Sequence, residues 1–153
     1  MPDTPDTPAG SSVASVLGFD FGTRVIGVAV GNRLSGARAL ATVTNGKEPD
    51  WQRIDALVRE WHPASLIVGL PLSLDGGEQA MARAARDFAT ALGQRFRLPV
   101  QLVDERLTSV EAAHRFAAQR ASGAARRKDA AALDAIAASI ILENWFAQGA
   151  ADA

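Results

Sequence analysis

The stretch Val16-Leu17-Gly18-Phe19-Asp20-Phe21, then Gly22-Thr23-Arg24, then Val25-Ile26-Gly27-Val28-Ala29-Val30, decides how this chain is read. Two apolar runs flank a turn-like Gly-Thr-Arg, which predicts a β-hairpin with a buried first strand. Asp20 is the anomaly, a charge in the middle of that strand. An ionised carboxylate in a dry sheet is costly unless something pairs with it. The nearest cation in sequence is Arg24, past the turn. Asp20 is therefore either a metal ligand or a structural acid that caps the turn or pairs with a distant Arg. This stretch alone leaves both readings open.

Working outward, a third strand is expected near 37–43, and Asn45-Gly46 with Glu48-Pro49 marks a loop. Trp51, Ile54, Leu57, Val58 and Trp61 recur at helical spacing, so a helix is expected over 51–61, ended by His62-Pro63. Ser65-Leu66-Ile67-Val68-Gly69 reads as a buried parallel strand. Residues 70–77 read as a loop, 78–95 as a helix and 99–103 as the fifth strand. Thr108 or Ser109 caps a helix to about 119, with Glu111 near the capping-box position. A loop of small and basic residues over 120–129 precedes a last helix over 130–147. The expected fold is α/β and RNase H-like: a five-stranded mixed sheet, opening with three antiparallel strands and continuing αβαβα, with helices on both faces. One domain is expected over 16–148, with a disordered leader at 1–15 and a disordered tail at 149–153.

Composition narrows the chemistry. The chain has 153 residues, 48% hydrophobic and 22% charged, which suits one globular domain. No apolar run is long enough to span a bilayer, and residues 1–15 lack the pattern of a signal peptide. There is no Cys, so disulfides and thiolate metal sites are excluded, and a reducing cytoplasm fits. With only His62 and His114, a His-based zinc site is not expected, and a metal would be held by oxygen, which favours Mg²⁺ or Mn²⁺. Net charge is −1, so the whole molecule is not a basic nucleic-acid binder. Cations cluster locally at Arg115, Arg120, Arg126, Arg127 and Lys128, and at Arg24, Arg33 and Arg38. Either cluster suits phosphate, and either also suits a solvated face.

Two further acids sit in unusual company. Glu105 follows Val103-Asp104 where a strand ends, and sites of parallel sheets gather at the carboxyl ends of strands. Alternation keeps Asp104 and Glu105 from facing the same way while the strand lasts. Asp134 lies among Ala130, Ala131, Ala137 and Ala138, small enough for close approach of the helix to another element. The competing readings are an ion pair with Arg106 for Glu105, and a first-turn acid favoured by the helix dipole for Asp134. Three such carboxylates on two strands and one helix together suggest a site for one or two divalent ions. Two-metal sites of this kind hydrolyse phosphodiesters with water as the nucleophile.

The chain resembles the YqgF family, also called RuvX, of RNase H-like nucleases. The resemblance rests on Phe19-Asp20-Phe21-Gly22-Thr23-Arg24, Ile26-Gly27-Val28-Ala29 and Val68-Gly69-Leu70-Pro71. It continues through Asp75-Gly76, Glu78-Gln79 and Asp104-Glu105-Arg106-Leu107-Thr108-Ser109-Val110-Glu111-Ala112. It ends on Asp134, Ala137-Ala138 and Ile140-Ile141-Leu142-Glu143, and runs from about 16 to 148. The resemblance implies a catalytic and metal-binding triad of Asp20, Glu105 and Asp134, with Asp75 or Asp104 as alternative third acids. It implies a cytoplasmic nuclease that matures the 5′ end of pre-16S ribosomal RNA, or a relative of Holliday-junction resolvases acting on branched DNA. Arg24, Arg126, Arg127 and Lys128 are the expected nucleic-acid contacts, and the expected state is a monomer or weak homodimer. Two features depart from the pattern. Ala131-Ala132 stands where the family often has Gly-Lys, and the fourth strand carries no acid before Asp75. An actin-like ATPase would need two such halves, which this length does not supply. A non-catalytic RNA-binding module remains the third class, and it predicts that the three acids are dispensable.

Overall fold

The computed structural model describes residues 14–70, 79–104 and 127–152. Their order is β1 (Val16–Asp20), β2 (Val25–Asn32), β3 (Gly36–Thr44), α1 (Trp51–Trp61), β4 (Ser65–Leu70), α2 (Gln79–Phe96), β5 (Val100–Asp104) and α3 (Arg127–Asp152). The strands form one sheet in the order β3-β2-β1-β4-β5. β1 pairs antiparallel with β2 and parallel with β4, β2 antiparallel with β3, and β4 parallel with β5. This is the mixed α/β architecture expected from the sequence.

Strand alternation divides the core in two. Leu17, Phe19, Ile26, Val28, Val30, Leu66, Val68 and Leu70 face α1 and α2, where they meet Ile54, Leu57, Phe88 and Leu92. Val16, Ala29, Ile67 and Val103 face α3, against Ala137, Ala138, Ile141 and Leu142. Burying each large apolar side chain stabilises the fold by about 1.5–3 kcal/mol. β4 is buried from Leu66 to Leu70, as its unbroken apolar run requires.

α1 starts at the Asp50 cap, whose carboxylate accepts from Arg53 N–H at 3.3 Å. It stops at His62, which takes a left-handed conformation (φ 46°) just before Pro63. Arg95 of α2 ties the two helices by donating to both carboxylate oxygens of Asp55 at 2.8 Å, with its guanidinium 5.0 Å from the Trp51 ring centre. The hydrogen bond from Arg95 holds the Asp55 carboxyl below its ordinary range.

Several boundaries differ from expectation. β1 ends at Asp20, so the acid terminates its strand instead of lying in its middle. α3 runs from Arg127 to Asp152, longer at both ends than 130–147, and it includes part of the expected loop and tail. Ala, Arg and Lys, which supply much of the added length, are strong helix formers. The expected helix over 108–119 and most of the 120–129 loop lie outside the described residues. Among the described residues, no helix is long and apolar enough to cross a membrane.

Candidate active site

β1 sets the direction of Asp20. Phe19 and Phe21 turn to the α1/α2 side, where both pack on Phe88, with ring centres 5.6 and 5.1 Å away. Asp20, between them, is thereby directed to the α3 side. It is 5% exposed, and it and Asn45 are the two buried polar residues among the described ones. In register, Asp20 lies between Gly27 of β2 and Gly69 of β4, and the row continues to Thr42 of β3 and Val103 of β5. Both nearest neighbours of Asp20 in this row therefore lack side chains.

Glycine also seats α3. A Cβ on Gly27 would overlap the main-chain carbonyl of Asp134, and one on Gly18 would come within 2.6 Å of Leu142 Cγ. Gly18 and Gly27 are on the α3 side with Asp20, so the helix lies directly against the sheet there. Contacts further along the helix link Glu143 to Ala37 N–H (3.0 Å) and the Phe146 carbonyl to Arg33 (3.3 Å). α3 therefore runs from the carboxyl end of β1 toward its amino end, with Asp134 at the Asp20 end. Asp134 shares its helix stripe with Ala137, Ala138 and Ile141, all fully buried.

The structure thus brings Asp20 and Asp134 to one end of one face, with the Asp134 backbone over the residue paired with Asp20. Neither is isolated, because Asp20, Asp104 and Asp134 each take part in polar or electrostatic interactions within the protein. Asp104 falls away from the pair. It is in register with Leu70, whose side chain faces α1 and α2. Glu105, Asp75 and Arg126 lie outside the described residues. Arg127 and Lys128 begin α3, about 10 Å along the helix axis from Asp134 at 1.5 Å per residue. Arg24 is exposed in the turn that follows β1. Among the described residues, no group of three His, Cys, Asp or Glu could hold a metal ion.

Sequence reasoning missed two residues. Asn45 reads only as a loop marker, yet its Nδ2 donates to the Gly22 carbonyl at 2.7 Å. Glu143 enters the sequence reading only as part of the resemblance, with no role, yet it anchors α3 to the start of β3 by accepting from Ala37 N–H. An Asn-Gly pair next to a strand end was the available signal for the first, and nothing local marks the second. Trp145 and Phe146 of α3 pack against the α3-side core, and Trp145 Nε1 donates to Gln101 Oε1 at 2.6 Å.

A family model described as RuvX, Holliday junction resolvase, matches residues 14–148. A protein of Xylella fastidiosa (strain M23) named "Putative pre-16S rRNA nuclease" is 56% identical over 134 residues, 86% of each chain. One of the same name from Xanthomonas campestris pv. campestris (strain B100) is 51% identical over 144 residues, 93% of each chain. The structure of T. thermophilus RuvC in complex with a Holliday junction substrate matches with TM-score 0.51 and 18% identity, covering 89% of this chain and 96% of that one. That likeness concerns the fold alone, an RNase H-like sheet with its helices. A family model spanning nearly the whole chain, with relatives more than half identical over most of it, means that the chain belongs to the RuvX (YqgF) family.

Proposed function

We propose that this chain is a divalent-metal-dependent nuclease that hydrolyses phosphodiester bonds of pre-16S ribosomal RNA, in its 5′-end maturation, in the cytoplasm. The observation that carries the reading is the buried carboxylate of Asp20, flanked by Gly27 and Gly69 and facing the helix that bears Asp134. Oxygen donors of this kind suit Mg²⁺ or Mn²⁺. Two acids do not complete such a site, and Glu105 is proposed as the third. Its support is its place in the sequence directly after β5, at the carboxyl end of a parallel strand, where sites of such sheets gather.

Asp20, Glu105 and Asp134 would hold the ion or ions, which when bound stabilise charge on phosphoryl oxygens and acidify bound water. The chain's own residues do the remaining work. Phe19 and Phe21, clamped on Phe88, keep Asp20 from swinging, and Gly27 beside it lets the Asp134 backbone come down against the sheet. Arg24, Arg126, Arg127 and Lys128 neutralise phosphates flanking the scissile bond, and the start of α3 adds its dipole. The chain has no Cys to serve as a nucleophile, which fits water as the attacking group.

The test is cleavage of precursor 16S RNA, unstructured RNA and four-way DNA junctions with Mg²⁺ or Mn²⁺, by the natural protein and by Asp20→Asn. The reading expects cleavage of the ribosomal precursor, abolished by Asp20→Asn in a protein that still folds. Preference for the DNA junction would move the substrate to branched DNA, in keeping with the description of the family model. Cleavage retained by pure Asp20→Asn would refute the role of Asp20.

A further inference from the structure

The turn after Asp20 is held from outside by a residue with no assigned role. Asn45, just past the end of β3, is 7% exposed, which is unusual for a side-chain amide. Its Nδ2 donates to the Gly22 carbonyl at 2.7 Å, and its main-chain N–H donates to the Arg24 carbonyl at 2.8 Å. One residue therefore holds both carbonyls that bracket Thr23. Asn45 is itself fixed, bridged to Pro49, with Asp50 N–H donating to the Thr44 carbonyl at 3.0 Å. The turn has little slack, since a Cβ on Gly22 would come within 2.5 Å of the Val25 carbonyl oxygen. Thr23 and Arg24 are exposed, so no packing of their side chains sets the turn's shape.

We propose that Asn45 is a positioning residue that fixes the Gly22–Arg24 turn and so aims the Arg24 guanidinium at a substrate phosphate beside Asp20. Asp20 does not need this support, because it is paired in the sheet on both sides and clamped through Phe19 and Phe21. The dependence thus falls on Arg24 and on binding. The inference rests on the nuclease reading for the nature of the ligand, a nucleic-acid backbone. Its test reads binding, so it can fail while Asp20 remains essential for cleavage, and it can hold if Asp20 proves dispensable.

The experiment is a double-mutant cycle on the full chain with Asn45→Ala, Arg24→Ala and the pair. Affinity for a labelled single-stranded RNA is measured across a salt series, with the melting temperature of each variant. Asn45→Asp is the second variant. It keeps the shape and the main-chain bond to Arg24 but replaces the donor to Gly22 with a carboxylate oxygen. The expected result is weaker binding by each single variant, with the salt slope falling by about 0.7 for one single-strand phosphate that is no longer neutralised. The pair should be no worse than Arg24→Ala alone, and kcat should change less than KM. Additive losses would overturn the proposal, as would unchanged affinity and slope in folded Asn45→Asp. Arg24→Ala binding like the natural protein would also overturn it.

Discussion

Replacing Gly27 with Ala puts a methyl group where the main-chain carbonyl of Asp134 now lies. The obstacle is backbone, so no side-chain rotation relieves it, and α3 must lift by about 1 Å or the strand must bend. Overpacking of this kind costs about 1–3 kcal/mol, and the upper end applies. Removing a glycine from a strand returns about 0.5–1 kcal/mol. The net loss is about 2 kcal/mol, a fall in melting temperature of about 4–8 °C for a domain of this size. The lifted helix carries Asp134, proposed above as a metal ligand, and a 1 Å misplacement of such a group costs about a hundredfold in rate. Two controls separate displacement from instability. A Cβ on Gly18 meets the buried Leu142 side chain at 2.6 Å and the Ala138 carbonyl oxygen at 3.3 Å, so Gly18→Ala should also melt lower, but this clash lies one to two turns along α3 from Asp134 and cleavage should fall less than in Gly27→Ala. Gly46 has nothing within 4 Å of its missing Cβ, so Gly46→Ala should be neutral or slightly stabilising. The assays are thermal melting and metal-dependent cleavage of precursor RNA. A Gly27→Ala protein as stable and active as its parent would refute the seating of α3 on β2. Equal activity losses for Gly18→Ala and Gly27→Ala would show that activity tracks general stability and not the place of Asp134.

Further outcomes are expected. Changing Arg126, Arg127 and Lys128 together to Ala should weaken nucleic-acid binding evenly across sequences and flatten its salt dependence by about 0.7 for each single-strand phosphate left without its cation; an unchanged slope removes this segment from the interface. Asp55→Asn should lower stability slightly at neutral pH, because the exposed pair with Arg95 is screened. The folded pKa of Asp55 is lowered, so the stability it contributes is present above the unfolded value near 3.9 and is lost as pH falls through the folded value. The gap in melting temperature between the parent and Asp55→Asn should shrink progressively as pH falls below about 4 and through the folded value, and a gap that stays constant over that fall counts against this origin. Glu143→Gln keeps an acceptor for Ala37 N–H and should leave stability nearly unchanged, whereas Glu143→Ala should lower the melting temperature by a few degrees.

Local rules made the element order and most boundaries legible from the chain's residues alone. Apolar runs, helical spacing and the His62-Pro63 stop each report on neighbours within one or two turns of chain, where steric preference acts. The same rules singled out Asp20 and Asp134, because a charge among apolar or alanine neighbours is visible without a fold. Residue type alone also excluded thiolate sites. Tertiary structure decided the rest. Asp20 ends its strand instead of sitting within it, and only pairing with both β2 and β4 shows this. Whether Asp20 and Asp134 share a face depends on which side of the sheet α3 lies. Gly18 and Gly27 decide that by accepting a helix backbone at contact distance. Asp104 is turned away by its register with Leu70, a relation between residues more than thirty positions apart. Asn45 reads as a turn marker in sequence, and only the closing of β3 beside the Gly22–Arg24 turn makes it a strut. Periodicity assigns a residue its side within an element, but the side that faces a partner is set by packing between elements, and that information is not local.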